Sequence, residues 1–219
     1  NKASDVPMPP ASMSKLMTVY MVFERLKAGR LSLDDKFFVS RKAWRKGGSK
    51  MFVMVKTRVA VKDLLRGIII QSGNDACIVI AEGISGSEDA FAEEMTLKAK
   101  EIGLTNSSFK NSTGWPADGH YMSARDIATL SKKLILDFPE YYKLFSETEF
   151  TFGGIKQGNR NPLLYKNFGA DGLKTGHTRA SGYGLAASTI RKGRRLLLVV
   201  NGLNSKRARG SESARLLDW

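Results

Sequence analysis

The sequence predicts a mixed α/β or α+β fold, arranged as one domain in two lobes. The first observation is helical periodicity across the middle of the chain, between two ends of strand-like composition. The second is that no internal repeat and no flexible linker separates these parts. A chain of 219 residues is also long enough to bury about 70% of its unfolded surface. We therefore expect one domain over 1–219, with a sheet lobe at about 1–61 and 140–219 and a helical lobe at about 62–139.

The predicted elements follow in chain order. A helix is expected from 12 to about 26, because apolar residues recur there at helical spacing and Gly29 can end it. Two short strands enclose a basic, glycine-containing loop, and the strand-rich C-terminal part ends in a hairpin with a basic turn. The other predicted bounds are 37–39, 58–61, 150–152, 172–176, 184–190 and 196–203 for strands, and 62–70, 74–84, 88–102, 124–136 and 209–219 for helices.

Composition limits the classes of function. The chain has 35 Lys and Arg against 21 Asp and Glu, a net charge of +14, which favours an anionic partner. No zinc-finger, bZIP or RNA-recognition motif accompanies the dispersed basic residues, so nucleic acid is not the expected partner. One Cys and two His without ligand-like spacing predict neither a disulfide nor a metal site. No apolar run is long enough to cross a bilayer.

A serine and a lysine three residues apart lie at the start of the first predicted helix. The i, i+3 spacing places Ser12 and Lys15 on one helix face. A serine hydroxyl becomes a nucleophile when a base takes its proton, and lysine can be that base where burial or a second cation lowers its pKa. The helix N-terminus adds free N–H groups where an oxyanion would form. Taken alone, the motif also fits an N-cap serine beside a solvated lysine.

Two more short motifs carry polar groups of the same kind. Ser72-Gly73-Asn74 lies between two predicted helices and supplies a hydroxyl that can relay a proton and an amide that can bind a carbonyl. Lys174-Thr175-Gly176 opens the strand-rich part, where a strand edge can bind an extended ligand and glycine permits close approach. Each tripeptide alone is also ordinary turn chemistry.

Together, the three motifs are far more specific than each is alone. They occur in order, about 60 and 100 residues apart, and form the set shared by class A β-lactamases and penicillin-binding proteins. Over nearly its whole length the sequence resembles the low-molecular-mass penicillin-binding D-alanyl-D-alanine carboxypeptidases. The resemblance implies a penicillin-binding transpeptidase and β-lactamase-like α/β (α+β) fold, in which an antiparallel sheet is flanked by helices with an all-helical lobe. The segments that carry it are 9–18, 71–77, 114–120, 123–126 and 171–178.

The resemblance also implies catalytic roles for five residues. Ser12 would be the acylated nucleophile, with Lys15 as its base. Ser72 would relay a proton to the leaving group, with electrostatic support from Lys174. Asn74 would hold the substrate peptide. Because Lys174 is expected across the cleft, we expect Lys15 to be partly neutral near pH 7.

Four further residues are implied in substrate binding. Thr175 and Arg209 would bind the terminal carboxylate of the substrate, and Gly176 belongs to the same substrate-binding strand. The backbone N–H of His177 would complete an oxyanion hole with that of Ser12.

The function that the resemblance implies is serine-type removal of the terminal D-alanine from peptidoglycan stem peptides, without a cofactor. β-Lactams would acylate and inhibit the protein. We expect an extracytoplasmic location in the periplasm or cell envelope, reached by a signal peptide not present in this chain. Membrane association would come only from segments absent here, as would the C-terminal β domain and anchor of the family.

Two alternatives remain open. A β-lactamase uses the same three motifs, but the chain has no Glu-x-x-Leu-Asn stretch to supply the glutamate of class A enzymes. An inactive muropeptide- or nucleic-acid-binding module would use the net charge alone. Among the remaining candidates, Cys77 is expected to be a buried helix residue and His120 to form local hydrogen bonds.

Overall fold

The computed structural model describes residues 2–167 and 169–218, so Asn1, Phe168 and Trp219 lie outside the described residues. An extended entry leads into a 3-10 turn at Ala11–Ser14, which continues without a break into α1 (Lys15–Lys27). The helix predicted from Ser12 is therefore present, but its first turn has 3-10 geometry. Helix α1 is buried along most of its length, so it forms the centre of the fold.

A small sheet follows α1. It pairs β1 (Lys36–Phe38) with β2 (Arg58–Ala60) in antiparallel register. Between these strands lies α2 (Arg41–Arg45). The sequence predicts only a loop there. The five residues of α2 show no apolar period, and its one signal is the N-cap Ser40, whose hydroxyl accepts the N–H of Ala43 at 3.0 Å.

The helical middle matches its predicted bounds to within one or two residues. It comprises α3 (Val61–Ile69), α4 (Asn74–Ser85), α5 (Glu88–Glu101) and α6 (Ala124–Asp137). Helix α1 packs against all four. Because α4 begins at Asn74 and α1 follows the turn that carries Ser12, the two motifs are brought together by the packing of these helices.

The segment after α6 contains short elements. A turn of helix, α7 (Pro139–Tyr142), precedes a hairpin of β3 (Glu149–Phe152) and β4 (Ile155–Gly158). Of this hairpin, the sequence predicts only β3, at 150–152. Strand β4 is mostly exposed, so its sequence lacks the apolar alternation that identifies a half-buried strand.

The main sheet is antiparallel, with the order β5–β6–β7. Its strands are β5 (Ala170–Thr178), β6 (Gly182–Arg191) and β7 (Arg194–Leu203), and the hairpin between β6 and β7 has the predicted basic turn. The last helix, α8 (Lys206–Leu217), starts three residues before the predicted position because Ser205 caps it. The predicted end of this helix, at Trp219, lies outside the described residues.

Helices cover both faces of the main sheet. Leu173 and Ala186 belong to the large core around α1, whereas Leu185 and Ala187 belong to a smaller cluster with Leu217 of α8. Alternate residues of β6 thus face opposite helical layers, as the two-residue period of a strand requires. In the part of the chain that the structure describes, no helix is long and apolar enough to cross a membrane.

Candidate active site

The three motifs meet in one cleft, at the junction of α1, α4 and β5. Lys15 Nζ lies 2.9 Å from Ser12 Oγ and 2.8 Å from Asn74 Oδ1. Its third partner is the backbone carbonyl of Thr113, at 2.5 Å. Residues from three distant parts of the sequence therefore surround one lysine.

This arrangement satisfies the amino group of Lys15 in both of its protonation states. The Asn74 and Thr113 oxygens can only accept, so they take two N–H bonds. The third partner, the Ser12 hydroxyl, can accept from an ammonium or donate to the lone pair of a neutral amine. The geometry therefore permits proton transfer from Ser12 Oγ to Lys15 Nζ with no other change in hydrogen bonding.

Burial makes the neutral form accessible. Lys15 is fully buried, and this loss of solvation lowers the pKa of its amine to about 8. The cations Arg160 and Lys46 lower this pKa further, whereas the Asp75 carboxylate opposes the shift. The expected cause of a lowered Lys15 pKa was the charge of Lys174, but burial is the largest cause.

A second lysine–serine pair lies beside the first. Lys174 Nζ donates to Ser72 Oγ at 2.9 Å, and both side chains are buried. Burial, and then the charge of Lys15, hold the pKa of Lys174 well below its usual value. Ser72 has a left-handed backbone with φ of 60°, which is rare outside glycine and is typical of functional sites.

Asn74 and Asp75 fix the segment that closes one side of the cleft. Asn74 donates from Nδ2 to the carbonyl of Gly47 at 2.8 Å and from its backbone N–H to the carbonyl of Ser49 at 2.7 Å. The carboxylate of Asp75 is fully buried and accepts the backbone N–H groups of residues 51–53 at 2.9–3.2 Å. This carboxylate is therefore engaged by the backbone.

The long loop before α6 packs directly on the turn that carries Ser12. Gly114 has φ of +78°, and a β-carbon there would lie 1.9 Å from the carbonyl oxygen of Ala11. Only glycine permits this approach, which places the adjacent Thr113 carbonyl against Lys15. His120 reinforces the contact, because its Nε2 lies 2.8 Å from Ser14 Oγ.

His120 acts here as a neutral structural side chain. Its Nδ1 accepts the backbone N–H of Lys110 at 3.1 Å, so the proton is on Nε2 and is donated to Ser14. Burial and the charges of Lys15 and Lys110 lower the pKa of His120 to about 4. Its bonds span from the loop to the first helical turn, which is a wider reach than the local bonding expected from the sequence.

Strand β5 brings the third motif alongside the nucleophile turn. A β-carbon on Gly176 would lie 3.0 Å from the carbonyl oxygen of Pro10, so this part of β5 is adjacent to Ser12. Thr175 is buried, at 5% exposure. His177 is exposed, and its ring stacks on that of Tyr183 at 4.0 Å between centroids.

Arg209 reaches this end of the cleft from α8. Its guanidinium carbon lies 5.8 Å from the centroid of the Tyr183 ring, the ring that also stacks on His177. Arg209 is 7% exposed, and its Nε is buried without a hydrogen-bond partner in the described residues. A buried, unpaired guanidinium N–H is costly unless an anion binds it. The contacts above thus bring the nine predicted site residues into one region, where the starts of α1 and α4 meet β5 and α8.

Sequence reasoning missed three contributors to this cleft. Thr113 acts through its backbone carbonyl, and Tyr183 depends on the pairing of β5 with β6, so neither has a motif. Arg160 donates to Ser49 Oγ at 2.5 Å, and its charge lowers the pKa of both Lys15 and Lys174. No local sequence pattern marks Arg160.

Other candidate chemistry is weak. Cys77 is fully buried, and this burial raises the pKa of its thiol to about 12, so a thiolate nucleophile is not formed at neutral pH. Among residues 2–167 and 169–218, no group of three or more His, Cys, Asp or Glu side chains could hold a metal ion.

Comparisons with known proteins agree with this arrangement. The D-alanyl-D-alanine carboxypeptidase model of peptidase family S11 matches residues 1–205. The D-alanyl-D-alanine carboxypeptidase DacC of Escherichia coli is 44% identical over 99% of this chain, and the match covers 56% of that relative. The chain thus spans little more than half the length of this curated relative.

Two solved structures extend the similarity to three dimensions. Penicillin-binding protein 5 of Haemophilus influenzae has a TM-score of 0.95 at 42% identity, over 99% of this chain and 64% of that one. Penicillin-binding protein D2 of Listeria monocytogenes, solved in an ampicillin-bound form, has a TM-score of 0.88 at 30% identity, over 99% and 88%. These matches confirm the predicted fold. By sequence and by structure, the chain belongs to the D-alanyl-D-alanine carboxypeptidase family S11.

Proposed function

We propose that this chain is the catalytic domain of a serine-type D-Ala-D-Ala carboxypeptidase, which removes the terminal D-alanine from peptidoglycan stem peptides. The observation that carries the proposal is the buried Lys15 amine, 2.9 Å from Ser12 Oγ. A lysine in this position, with a pKa near 8, is a competent general base for serine acylation.

Acylation begins when Ser12 Oγ attacks the carbonyl carbon between the two D-alanines. The hydroxyl proton passes to Lys15 Nζ, and the carbonyl oxygen becomes an oxyanion held by the backbone N–H groups of Ser12 and His177. The C–N bond then breaks as this proton is relayed from Lys15 through the Ser72 hydroxyl to the leaving amine of D-alanine, so that Lys15 becomes neutral and Ser72 keeps a hydroxyl. Lys174, which donates to Ser72, supports the relay electrostatically. Water later hydrolyses the ester on Ser12.

The substrate is held at both ends of the reacting bond. The Asn74 amide binds the peptide on the acyl side, and β5 supports its backbone along Gly176. On the leaving-group side, Thr175 and Arg209 bind the terminal carboxylate. The unpartnered Nε of Arg209 supports this role, since it leaves a buried donor for the anion.

The setting of the protein follows from its substrate. We propose that it acts outside the cytoplasm, in the periplasm or cell envelope, after export by a signal peptide, and that membrane attachment resides outside residues 1–219. β-Lactams would acylate Ser12, and nucleic acid is not a partner. A single catalytic domain is supported by the hydrophobic core that runs from α1 to β5 and β6.

A penicillin adduct tests this function directly. The protein is incubated with penicillin, and intact and peptide mass spectra are recorded for the wild type, Ser12→Ala and a matched Ser211→Ala variant at an exposed position of α8. We expect one covalent adduct, located on Ser12, in the wild type and in Ser211→Ala but not in Ser12→Ala. Absence of an adduct from the folded wild type would contradict the proposal and favour a binding module.

A further inference from the structure

Lys46 and Trp115 form a cation–π pair on the Asn74 side of the site, whereas Arg209 lies on the Tyr183 side. Lys46 Nζ lies 4.5 Å from the centroid of the Trp115 ring. Lys46 is half-buried, and Trp115 is 44% exposed, so both are accessible to solvent. Neither residue belongs to the three motifs or has a role in the acylation steps above.

Hydrogen bonds of Asn74 and Lys15 hold the two chain segments that carry this pair. Asn74 binds the carbonyls of Gly47 and Ser49, the segment directly after Lys46. A β-carbon on Gly48 would lie 2.7 Å from Asn74 Nδ2 and 3.0 Å from the indole of Trp115. Trp115 in turn lies two residues after Thr113, whose carbonyl contacts Lys15. The pair therefore adjoins the acyl side of the site.

Positive charge in the cleft is not balanced by the protein. In the described part of the chain, Lys46, Lys15, Lys174 and Arg209 form no ion pair. The buried carboxylate nearest these groups in sequence, Asp75, is occupied by backbone N–H groups.

The two outer cations act on different parts of the cleft. The charge of Lys46 lowers the pKa of Lys15, and that of Arg209 lowers the pKa of Lys174. This agrees with their contacts, because Lys46 lies on the Asn74 side and Arg209 on the Tyr183 side. The terminal carboxylate of a substrate bound at Arg209 would compensate the positive charge there. It would not compensate the charge of Lys46.

We propose that Lys46 and Trp115 form an acyl-side subsite that binds a carboxylate on the side chain of the residue preceding D-Ala-D-Ala. The inference rests on the proposed function and narrows its substrate class to peptides whose residue at that position has a side-chain carboxylate. The indole supports the aliphatic part of this side chain, and the ammonium pairs with its carboxylate. Lys46 is a specificity-determining residue in this scheme.

Two peptides test the subsite. Both are N-acetyl-X-D-Ala-D-Ala; in one, X is meso-diaminopimelate with a free side-chain carboxylate, and in the other that carboxylate is a carboxamide. D-Alanine release gives kcat/KM for each, and the acid-to-amide ratio is the measured quantity. A change in the pKa of Lys15 on substitution of Lys46 affects both peptides equally, so the ratio isolates recognition.

For the wild type we expect an acid-to-amide ratio of about 10, typical of a partly exposed charge-assisted contact, and a lower ratio at high salt. Lys46→Gln should bring the ratio to about 1, and Lys46→Glu should invert it. Lys132→Gln, an exposed helix position with the same charge change, should keep the wild-type ratio.

Three results would count against the subsite or the function beneath it. Equal use of both peptides by the wild type would overturn the subsite, as would an unchanged ratio in Lys46→Gln. Release of D-alanine from neither peptide would instead overturn the proposed function, and the inference with it.

Discussion

At the scale of single residues, burial determines the acid–base behaviour of the site. Lys15 and Lys174 are almost completely removed from solvent, and each bonds a serine hydroxyl at 2.9 Å. An exposed lysine remains charged at neutral pH, whereas these two have lowered pKa values. The fold thus converts two ordinary lysines into possible proton carriers.

The pH dependence of acylation should report Lys15. Its pKa is lowered to about 8, so the neutral, basic form increases as the pH rises through 8. The second-order rate constant for penicillin acylation should therefore rise about tenfold per pH unit below pH 7 and level off above about 9. Stopped-flow measurements between pH 5.5 and about 9.5 would check this. A pH-independent rate would contradict a lysine base.

Replacement of the base should be equally diagnostic. In Lys15→Arg the guanidinium stays protonated, so acylation should fall by about 10²–10⁴. The matched variant Lys132→Arg, on the exposed surface of α6, should acylate as the wild type does. Circular dichroism would establish that both variants fold, and wild-type acylation by Lys15→Arg would remove lysine from the mechanism.

Arg209 should select substrates by their C-terminus. A charge-assisted hydrogen bond contributes about 1.5–3 kcal/mol, so Arg209→Ala should slow D-alanine release from a free-acid peptide about 10- to 100-fold. The C-terminally amidated peptide should already be a poor substrate for the wild type and lose little more in the variant. Equal turnover of the two peptides by the wild type would show that the anion site is misassigned.

At the scale of elements, the nucleophile turn depends on a close backbone contact. Ala11 itself has φ of 49°, and its carbonyl oxygen packs against Gly114. The same contact holds Thr113 against Lys15. A change at Gly114 should therefore affect both stability and acylation.

A matched pair of glycine substitutions separates backbone conformation from this contact. Gly86 and Gly114 have φ of +77° and +78°, but a β-carbon on Gly86 meets nothing within 4 Å. Gly86→Ala should cost about 1–2 kcal/mol, the ordinary penalty for a left-handed alanine. Gly114→Ala should cost roughly 1–3 kcal/mol more because Ala11 must move, and it should also slow acylation.

Chemical unfolding and penicillin labelling would measure these two effects. Equal losses of unfolding free energy in Gly86→Ala and Gly114→Ala would show that the contact with Ala11 contributes nothing.

Long elements with a clear apolar period were predictable from the sequence. Helices α5 and α6 each bury one face, so their apolar periods are visible in the sequence. Helix α4 is buried at every position from Asn74 to Ala81, so its sequence shows a continuous apolar run instead. The short, mostly exposed α2 and β4 lack that signal, and only the Ser40 cap pointed to α2. Local capping also decided the start of α8, through Ser205.

The site was predictable where a side chain lies in a motif, and not where the fold brings in a group from elsewhere. Ser12 with Lys15, Ser72 and Lys174 were found from three motifs of three or four residues. The carbonyl of Thr113 could not be found this way, because any residue has a carbonyl. Arg160 depends on the placement of β4 and the chain after it, which no periodicity specifies.

At the scale of the whole molecule, the cleft contains two basic amines but no carboxylate placed to activate water. In the described residues, no Asp or Glu side chain bonds Ser12, Lys15, Ser72 or Lys174. Class A β-lactamases use such a glutamate to hydrolyse the drug adduct. This difference bears on the fate of the two acyl-enzymes.

The acyl-enzyme should hydrolyse quickly with peptide and slowly with penicillin. Peptide cleavage releases D-alanine, which diffuses away, whereas the opened β-lactam keeps its leaving amine tethered where water must approach. Lys15, or Ser72 with Lys174, is left to activate this water, and such general-base assistance is worth about 10²–10⁴-fold. The tethered amine keeps the water from its best position, so the drug adduct should be long-lived. Stopped-flow acylation followed by a chase would measure both rates. Penicillin turnover as fast as peptide turnover would favour the β-lactamase alternative.

Release of D-alanine from an acyl-D-Ala-D-Ala peptide tests the central claim most directly. Wild type and Ser12→Ala are compared at equal concentration, with D-alanine quantified by an enzyme-coupled assay. The account predicts one D-alanine released per peptide cleaved by the wild type, and no release above background by folded Ser12→Ala. Undiminished release by Ser12→Ala, or none by the wild type, would contradict it.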